Sequence, residues 1–303
     1  MAVLSVKQLT KVIKKKTLVD AVSFEVKEGE VFGFLGPNGA GKTTTIRMLV
    51  GLIKPTEGTI EVGGYNVRTH FKEAMRQVGS IVENPELYTY LTGWENLKQF
   101  ARMLGDISDE RIDEIVKLVH LDERIHEKVK NYSLGMKQRL GIAQALLGKP
   151  RLLILDEPTN GLDPAGIREL REFVHHLVET ENISVFISSH MLSEVQLMCD
   201  RVAIITKGKM ITVAPIQELI ERTNDKVEWI VSPSEKAEAI LNAYEDVSEI
   251  VRDGDIIRCR MPVEKISFYN QLLVTGDIEV MGVRVLAVTL EDLFMELTGG
   301  DEK

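Results

Sequence analysis

The 303-residue sequence predicts a mostly parallel α/β domain followed by a smaller α+β domain, and three observations carry that prediction. Short apolar runs at 31–35, 152–155, 184–187 and 201–206 alternate with helical stretches, which is the pattern of a parallel sheet with helices on both faces. The first of these runs opens directly into a glycine-rich loop and then a helix. Near residue 222 the rhythm changes to short strands and helices in the order βαββαβ, which suits a small ferredoxin-like unit. The expected domains are therefore 1–222 and 226–303.

Taken in order, residues 4–9 and 21–26 read as strands joined by a lysine-rich turn. Residues 30–35 form a buried-type strand, 43–52 a helix, and 59–62 a strand ending at Gly63-Gly64. From 93 to 126 the apolar residues Leu97, Phe100, Ala101 and Leu104, then Ile112, Ile115, Val116 and Val119, recur at helical spacing. Beyond the boundary, 226–231 is a strand and 234–244 a helix. Residues 248–261 form a hairpin turning at Asp253-Gly254. A helix at 262–274, a strand at 278–287 and a last helix at 290–297 complete the chain.

Composition removes several classes. Hydrophobic residues at 44% and charged residues at 27% are ordinary globular values, which argues against disorder and rods. Two cysteines, Cys199 and Cys259, cannot build a disulfide framework and fit a reducing compartment. A net charge of −9 argues against nucleic acid as a partner, because phosphate backbones attract basic footprints. No apolar run approaches the roughly 20 residues of a membrane-spanning helix. A soluble intracellular protein is expected, reaching a membrane only through a partner.

Residues 36–43, Gly-Pro-Asn-Gly-Ala-Gly-Lys-Thr, match G-x-x-x-x-G-K-[ST] between a strand and a helix. The glycines allow backbone N–H groups to turn inward around a β-phosphate. Lys42 can reach the β/γ oxygens, and the Thr43 hydroxyl is placed for Mg²⁺. Further on, the apolar run 152–155 ends in Asp156-Glu157. An acid at a strand's C-terminal edge can hold Mg²⁺ through water, and the next acid can orient and deprotonate an attacking water. The two motifs together imply hydrolysis of ATP or GTP.

Four segments in order, GPNGAGKTT at 36–44, YSLGMKQRL at 132–140, LDEPTNGLDP at 155–164 and SSH at 188–190, resemble the ATP-binding cassette of ABC transporters over roughly residues 1–220. The resemblance implies a P-loop NTPase fold with a RecA-like parallel core, an antiparallel β subdomain and a helical subdomain. It implies that Gly36, Pro37, Asn38, Gly39, Ala40, Gly41, Lys42, Thr43 and Thr44 hold ATP. Thr43, Asp156 and Glu83 would hold Mg²⁺, with Glu157, His190, Lys42 and Glu83 acting in hydrolysis. Ser133 and Gly135 of one cassette would close on the γ-phosphate of the other in a homodimer, and Asp163 would sit in the loop linking the two sites. As an isolated feature, Ser133 reads more readily as the cap of the following helix, and it gains its nucleotide role only from the array of motifs.

Three positions depart from the family pattern. Leu134 and Met136 replace a glycine and a glutamine in the signature, and Ile13 stands where an aromatic stacks on adenine. Glu83 replaces a glutamine; an ionised glutamate only accepts hydrogen bonds and is favourable beside Mg²⁺ but not beside a γ-phosphate. With YSLGMKQRLGIA, the ENPELYTYLTGWENL run and a tail over 289–298, this glutamate resembles the subgroup that exports bacitracin or gives immunity to lantibiotics. That implies separate polytopic permease subunits and a peripheral place on the inner face of the cell membrane. Leu87, Tyr88, Tyr90, Leu91 and Trp94 either meet such a subunit or pack the helical subdomain, with Tyr88 and Tyr90 the better interface residues. A cassette acting on DNA or ribosomes would carry a long insertion or a second phosphate loop, and a phosphotransferase would leave 132–140 and 159–164 without a role.

Overall fold

A computed structural model describes residues 1–105, 107–221, 225–286 and 294. The chain divides into two compact units, Met1–Ile216 and Gln217–Lys303.

The first unit begins with two long strands, β1 (Ala2–Ile13) and β2 (Lys16–Lys27), paired antiparallel. Then come β3 (Val31–Leu35), the helix α1 (Lys42–Leu49), β4 (Glu57–Val62), β5 (Tyr65–Asn66), α2 (Phe71–Met75) and β6 (Val78–Ile81). Three helices follow: α3 (Gly93–Leu104), α4 (Asp109–Leu118) and α5 (Leu134–Leu146). The remainder is β7 (Leu152–Asp156), α6 (Pro164–Glu181), β8 (Ser184–Ser189), α7 (Leu192–Met198), β9 (Arg201–Thr206), β10 (Lys209–Pro215) and α8 (Ile216–Glu221), whose first residue closes this unit.

One ten-stranded sheet runs in the order β5-β4-β1-β2-β10-β9-β3-β8-β7-β6. Its β9-β3-β8-β7-β6 half is parallel, and the β1, β2, β4 and β5 half is antiparallel. The cassette fold implied by the motifs is therefore present, with α3, α4 and the start of α5 as its helical part. Strands β3, β7 and β8 are buried at every residue, which is why they read as unbroken apolar runs rather than alternating ones. Phe24, Phe32, Phe34 and Phe186 meet at ring separations of 5.4–6.0 Å and tie the two halves of the sheet together.

Local chemistry sets the helix limits. Thr92 caps α3, accepting from the Glu95 backbone N–H at 3.1 Å while Glu95 accepts from the Thr92 N–H at 2.7 Å. Those Thr92 hydrogen bonds hold the Glu95 carboxyl below its ordinary range. Gly105, at φ 94°, ends α3, so the helical run expected from 93 to 126 is two helices and a loop. α1 stops at Leu49, short of the expected 52. Three strands escaped the sequence pattern: β5, of two residues, β6, a four-residue edge strand, and β10, all but one of whose residues are exposed or half-buried.

The second unit contains β11 (Lys226–Ser232), α9 (Ser234–Leu241), β12 (Ser248–Asp253), β13 (Ile256–Arg260), α10 (Ile266–Thr275) and β14 (Glu279–Val285). Its sheet order, β12-β13-β11-β14, is antiparallel throughout and is that of a ferredoxin-like fold. Val227, Trp229 and Val231 pack with Leu241, Tyr269 and Leu273 as its core. The last helix expected at 290–297 lies outside the described residues except for Phe294.

Candidate functional site

The C-terminal ends of the parallel strands carry the expected chemistry, as is general for open α/β sheets. Leu35 ends β3 and leads into the phosphate loop; Asp156 and Ser189 end the neighbouring β7 and β8. The loop needs glycine for steric reasons. A Cβ on Gly36 would lie 2.3 Å from the Ile205 carbonyl oxygen, and one on Gly41, at φ 108°, would lie 2.7 Å from the Leu18 carbonyl oxygen. Pro37, Asn38 and Gly39 are exposed at the crest, while Ala40 is buried and its N–H donates to the Pro37 carbonyl at 3.1 Å. Thr43 and Thr44 sit half-buried in the first turn of α1.

Lys42 opens that helix and is only 5% exposed. Its ammonium donates to the Gly36 carbonyl at 2.7 Å and the Pro37 carbonyl at 3.3 Å, and lies 3.1 Å from Glu157 Oε1. The other Glu157 oxygen is 2.6 Å from His190 Nδ1. Lys42, Glu157 and His190, drawn from three distant parts of the chain, thus form one cluster. Glu157 has φ 50°, a left-handed backbone uncommon for a side-chain-bearing residue. Its N–H is held by the Ser188 carbonyl at 3.2 Å and the Ser188 hydroxyl at 3.0 Å.

Asp156 lies beside this cluster, 2% exposed. Its Oδ1 accepts from the Ser188 hydroxyl at 2.6 Å, and its Oδ2 is buried without a partner. A buried carboxylate oxygen left open costs free energy unless something cationic or protic meets it. With the Thr43 hydroxyl on the adjoining helix, that oxygen fits a Mg²⁺ ion held partly through water. Among the described residues no cluster of three or more histidine, cysteine or acidic side chains could bind a metal alone. Mg²⁺ does not need one, since it is commonly bound by one or two carboxylates plus substrate phosphates.

Ser133, Gly135 and Asp163 gather elsewhere, lining a cleft of about 570 Å³. Ser133 does cap α5, accepting from the Met136 N–H at 3.2 Å, yet remains exposed. Asp163 caps α6, accepting from the Gly166 N–H at 2.9 Å. The signature departure Leu134 lies over Gly161, where an added Cβ would be 2.8 Å from Leu134 Cδ2. Within one chain, then, the expected residues fall into two groups: Lys42, Glu157, His190 and Asp156 around the phosphate loop, and Ser133, Gly135 and Asp163 at this cleft. Ile13, half-exposed at the end of β1, offers an aliphatic surface rather than a ring.

Glu83 belongs to neither group. It is exposed, has φ 66°, and pairs with Arg47 in the last turn of α1. Tyr88 and Tyr90 are exposed with rings 6.0 Å apart, whereas Trp94 packs on His126 at 5.9 Å within the helical part. A groove of about 710 Å³ is lined by Met75, Arg76, Phe100, Met103 and Leu104. Met103 and Leu104 are exposed, and sequence reasoning did not single out this groove. It also passed over Ser188, although the SSH motif contains it, and Arg47, which carried no motif signal.

A phosphate loop on a parallel sheet, with an acid pair at the adjoining strand end, defines a nucleoside triphosphatase. Residues 19–160 match the ABC transporter family. The chain is 48% identical to the uncharacterized ABC transporter ATP-binding protein YhcH of Bacillus subtilis, over 98% of this chain and 96% of that one. It is 46% identical to the bacitracin transport ATP-binding protein BcrA of Bacillus licheniformis, over 96% of each. Identity to the lantibiotic transport ATP-binding protein SrtF of Streptococcus pyogenes is 43%, over 69% of this chain and 89% of that one. A solved ATP-binding subunit of an ABC transporter superposes with a TM-score of 0.65 at 31% identity, over 73% of this chain and 92% of the other. The chain belongs to the ATP-binding subunits of ABC transporters, the nucleotide-binding, ATP-hydrolysing cassettes that work with membrane components. None of its described helices is long and apolar enough to cross a membrane.

Proposed function

We propose that this cassette powers the export of an antimicrobial peptide or drug, such as bacitracin or a lantibiotic, through separate polytopic permease subunits. On this proposal two copies form a homodimer at the inner face of the cell membrane, and residues 226–303 are an accessory, regulatory domain. The observation that carries the substrate class is the identity to BcrA over 96% of both chains. The groove lined by Met103 and Leu104 offers apolar surface, and the exposed Tyr88 and Tyr90 offer aromatic surface, for a short helix of the permease.

Hydrolysis follows from the positions of the charged groups. The γ-phosphate takes the place of Glu157 as the counter-charge of Lys42. The freed Glu157 carboxylate then orients a water in line with the phosphorus and accepts its proton, while His190 keeps the second carboxylate oxygen fixed. Lys42 and the loop N–H groups offset the charge on the β/γ oxygens. Thr43, Asp156 and Glu83 would hold Mg²⁺, which would supply further charge neutralisation there. Ser133 and Gly135 close on this site from the second copy, through the exposed N-terminus of α5. Asp163 ties the loop between the two sites to α6.

Deleting the gene in its native host should lower the inhibitory concentration of bacitracin or of a lantibiotic. The intact gene should restore resistance, and Glu157→Gln should not. Unchanged susceptibility to both classes, with ATPase activity confirmed, would overturn the substrate assignment.

A further inference from the structure

The pairing of Glu83 with Arg47 has a counterpart within the same site. β6 and β7 are neighbouring parallel strands, and each is followed closely by a glutamate in the left-handed conformation: Glu83 at φ 66° and Glu157 at φ 50°. Each glutamate is paired to a cation on α1, Glu157 to Lys42 at its N-terminal end and Glu83 to Arg47 in its last turn. Arg47 is four residues beyond Thr43, so the two project from one face of the helix about 6 Å apart along its axis. While the Glu83 carboxylate rests on Arg47, it is held one turn away from the Thr43 hydroxyl.

We propose that Arg47 is a positioning residue: without nucleotide it latches the loop after β6 to α1 through Glu83, and arrival of ATP with Mg²⁺ draws Glu83 off. This rests on the assignment of Glu83 as a contact of the metal. A glutamine at position 83 would pair only weakly with Arg47, so the latch belongs to the glutamate. The loop it restrains leads through Pro85 to Tyr88 and Tyr90. Pro85 is seated against α5, where a Cβ on Gly141 would come within 2.5 Å of its ring. Release of Glu83 therefore reaches the surface proposed for the permease without any movement of α1, whose Ile46, Met48 and Leu49 are fully buried.

The test is a titration of the full-length chain with the non-hydrolysable analogue adenosine imidotriphosphate, with Mg²⁺ and with EDTA. The readout is the ratio of the two affinities, so turnover plays no part. Arg47 and Glu83 are 44% and 57% exposed, and substitution at either leaves the core intact. Arg47→Gln should raise the ratio about two- to five-fold, the range expected for releasing an exposed ion pair. Arg47→Lys keeps the charge and should stay near the unsubstituted protein, because a single guanidinium nitrogen makes the contact. Glu83→Gln should lower the ratio, and adding Arg47→Gln to it should change nothing more.

A lowered ratio in Glu83→Gln with no rise in Arg47→Gln overturns the latch and leaves Glu83 as a metal contact. No change in Glu83→Gln overturns the metal contact, and the latch with it. A rise that persists in the double variant shows Arg47 acting on the phosphates directly and also overturns the latch.

Discussion

Replacing Glu157 by glutamine should do more than stop turnover. Lys42 is 5% exposed and 3.1 Å from Glu157, and at an effective dielectric of about 20 such charges attract by about 5 kcal/mol, most of it offset by desolvation. Losing a buried partner outright costs about 3–5 kcal/mol. Glutamine keeps an acceptor in the same place, so the net loss should be about 1.5 kcal/mol, the difference between a charged and a neutral partner. Without nucleotide this should lower the melting temperature of the cassette by roughly 3–6 °C. A bound γ-phosphate supplies the missing charge, so the same quantity reappears as a roughly tenfold gain in ATP affinity. Hydrolysis should fall by about 10²–10⁴-fold with the base removed. Calorimetric melting, equilibrium ATP binding and phosphate release measure the three effects. An unchanged melting temperature together with unchanged ATP affinity would refute the claim that Glu157 is the resting counter-charge of Lys42.

Ser188→Ala removes the donor to Asp156 Oδ1 and one of two acceptors for the Glu157 N–H, which should cost about 1–3 kcal/mol. It should also raise the Mg²⁺ concentration needed for half-maximal ATPase activity; an unshifted Mg²⁺ curve would count against Ser188 as the orienting group. In the second unit, hydrogen bonds from Lys265 and then Tyr269 hold the Asp246 carboxyl below its ordinary range. A depressed folded-state pKa gives stability that is present above the unfolded value and lost as pH falls through the folded one. Asp246→Asn should therefore lower the urea midpoint at neutral pH and lose that effect in strong acid, followed by Trp229 fluorescence in a Trp94→Phe background. Burial raises the thiols of Cys199 and Cys259, the latter to about 11. A thiol-reactive dye should label neither in the native protein and both after denaturation.

The residues proposed to hold phosphate were the most legible in the sequence, because that chemistry requires a fixed spacing. Lys42 and Thr43 follow Gly36 at a set interval, and Asp156-Glu157 must end a buried strand. The parallel core was legible for a related reason: strands buried on both faces read as unbroken apolar runs. Legibility failed where tertiary context alone makes the partner. Nothing local joins Arg47 to Glu83, which are 36 residues apart, or Ser188 to Asp156, which are 32 apart. Edge strands such as β6 were lost because four residues are too few to show a period. The run from 93 to 126 looked continuous because its apolar spacing resumes after Gly105, while the glycine's left-handed backbone ends the helix. At Ser133 one position serves the cap and leaves room for the proposed role: its hydroxyl caps α5, and the capped helix end remains exposed, as anion binding there requires.

The division of labour along α1 constrains how nucleotide binding can be transmitted. The helix has eight residues, and its buried face is fixed in the core of the first unit through Ile46, Met48 and Leu49. A shift of the whole helix would disturb close-packed contacts and is the costly route. Exchange of partners by two carboxylates is the cheaper one, because each already has charged or polar groups waiting. Both glutamates also hold a left-handed backbone, which costs an L-residue about 1–2 kcal/mol. On the proposed mechanism, Glu157 would give up Lys42 to the γ-phosphate, whereas Glu83 would leave Arg47 for the metal at Thr43, next to the loop proposed to face the permease. Nucleotide without Mg²⁺ should accordingly free Glu157 alone, and only nucleotide with Mg²⁺ should free both. Protease cleavage within 82–91 should then be faster with the imidotriphosphate and Mg²⁺ than with the imidotriphosphate in EDTA. Equal cleavage under the two conditions would show that this loop responds to phosphate and not to the metal.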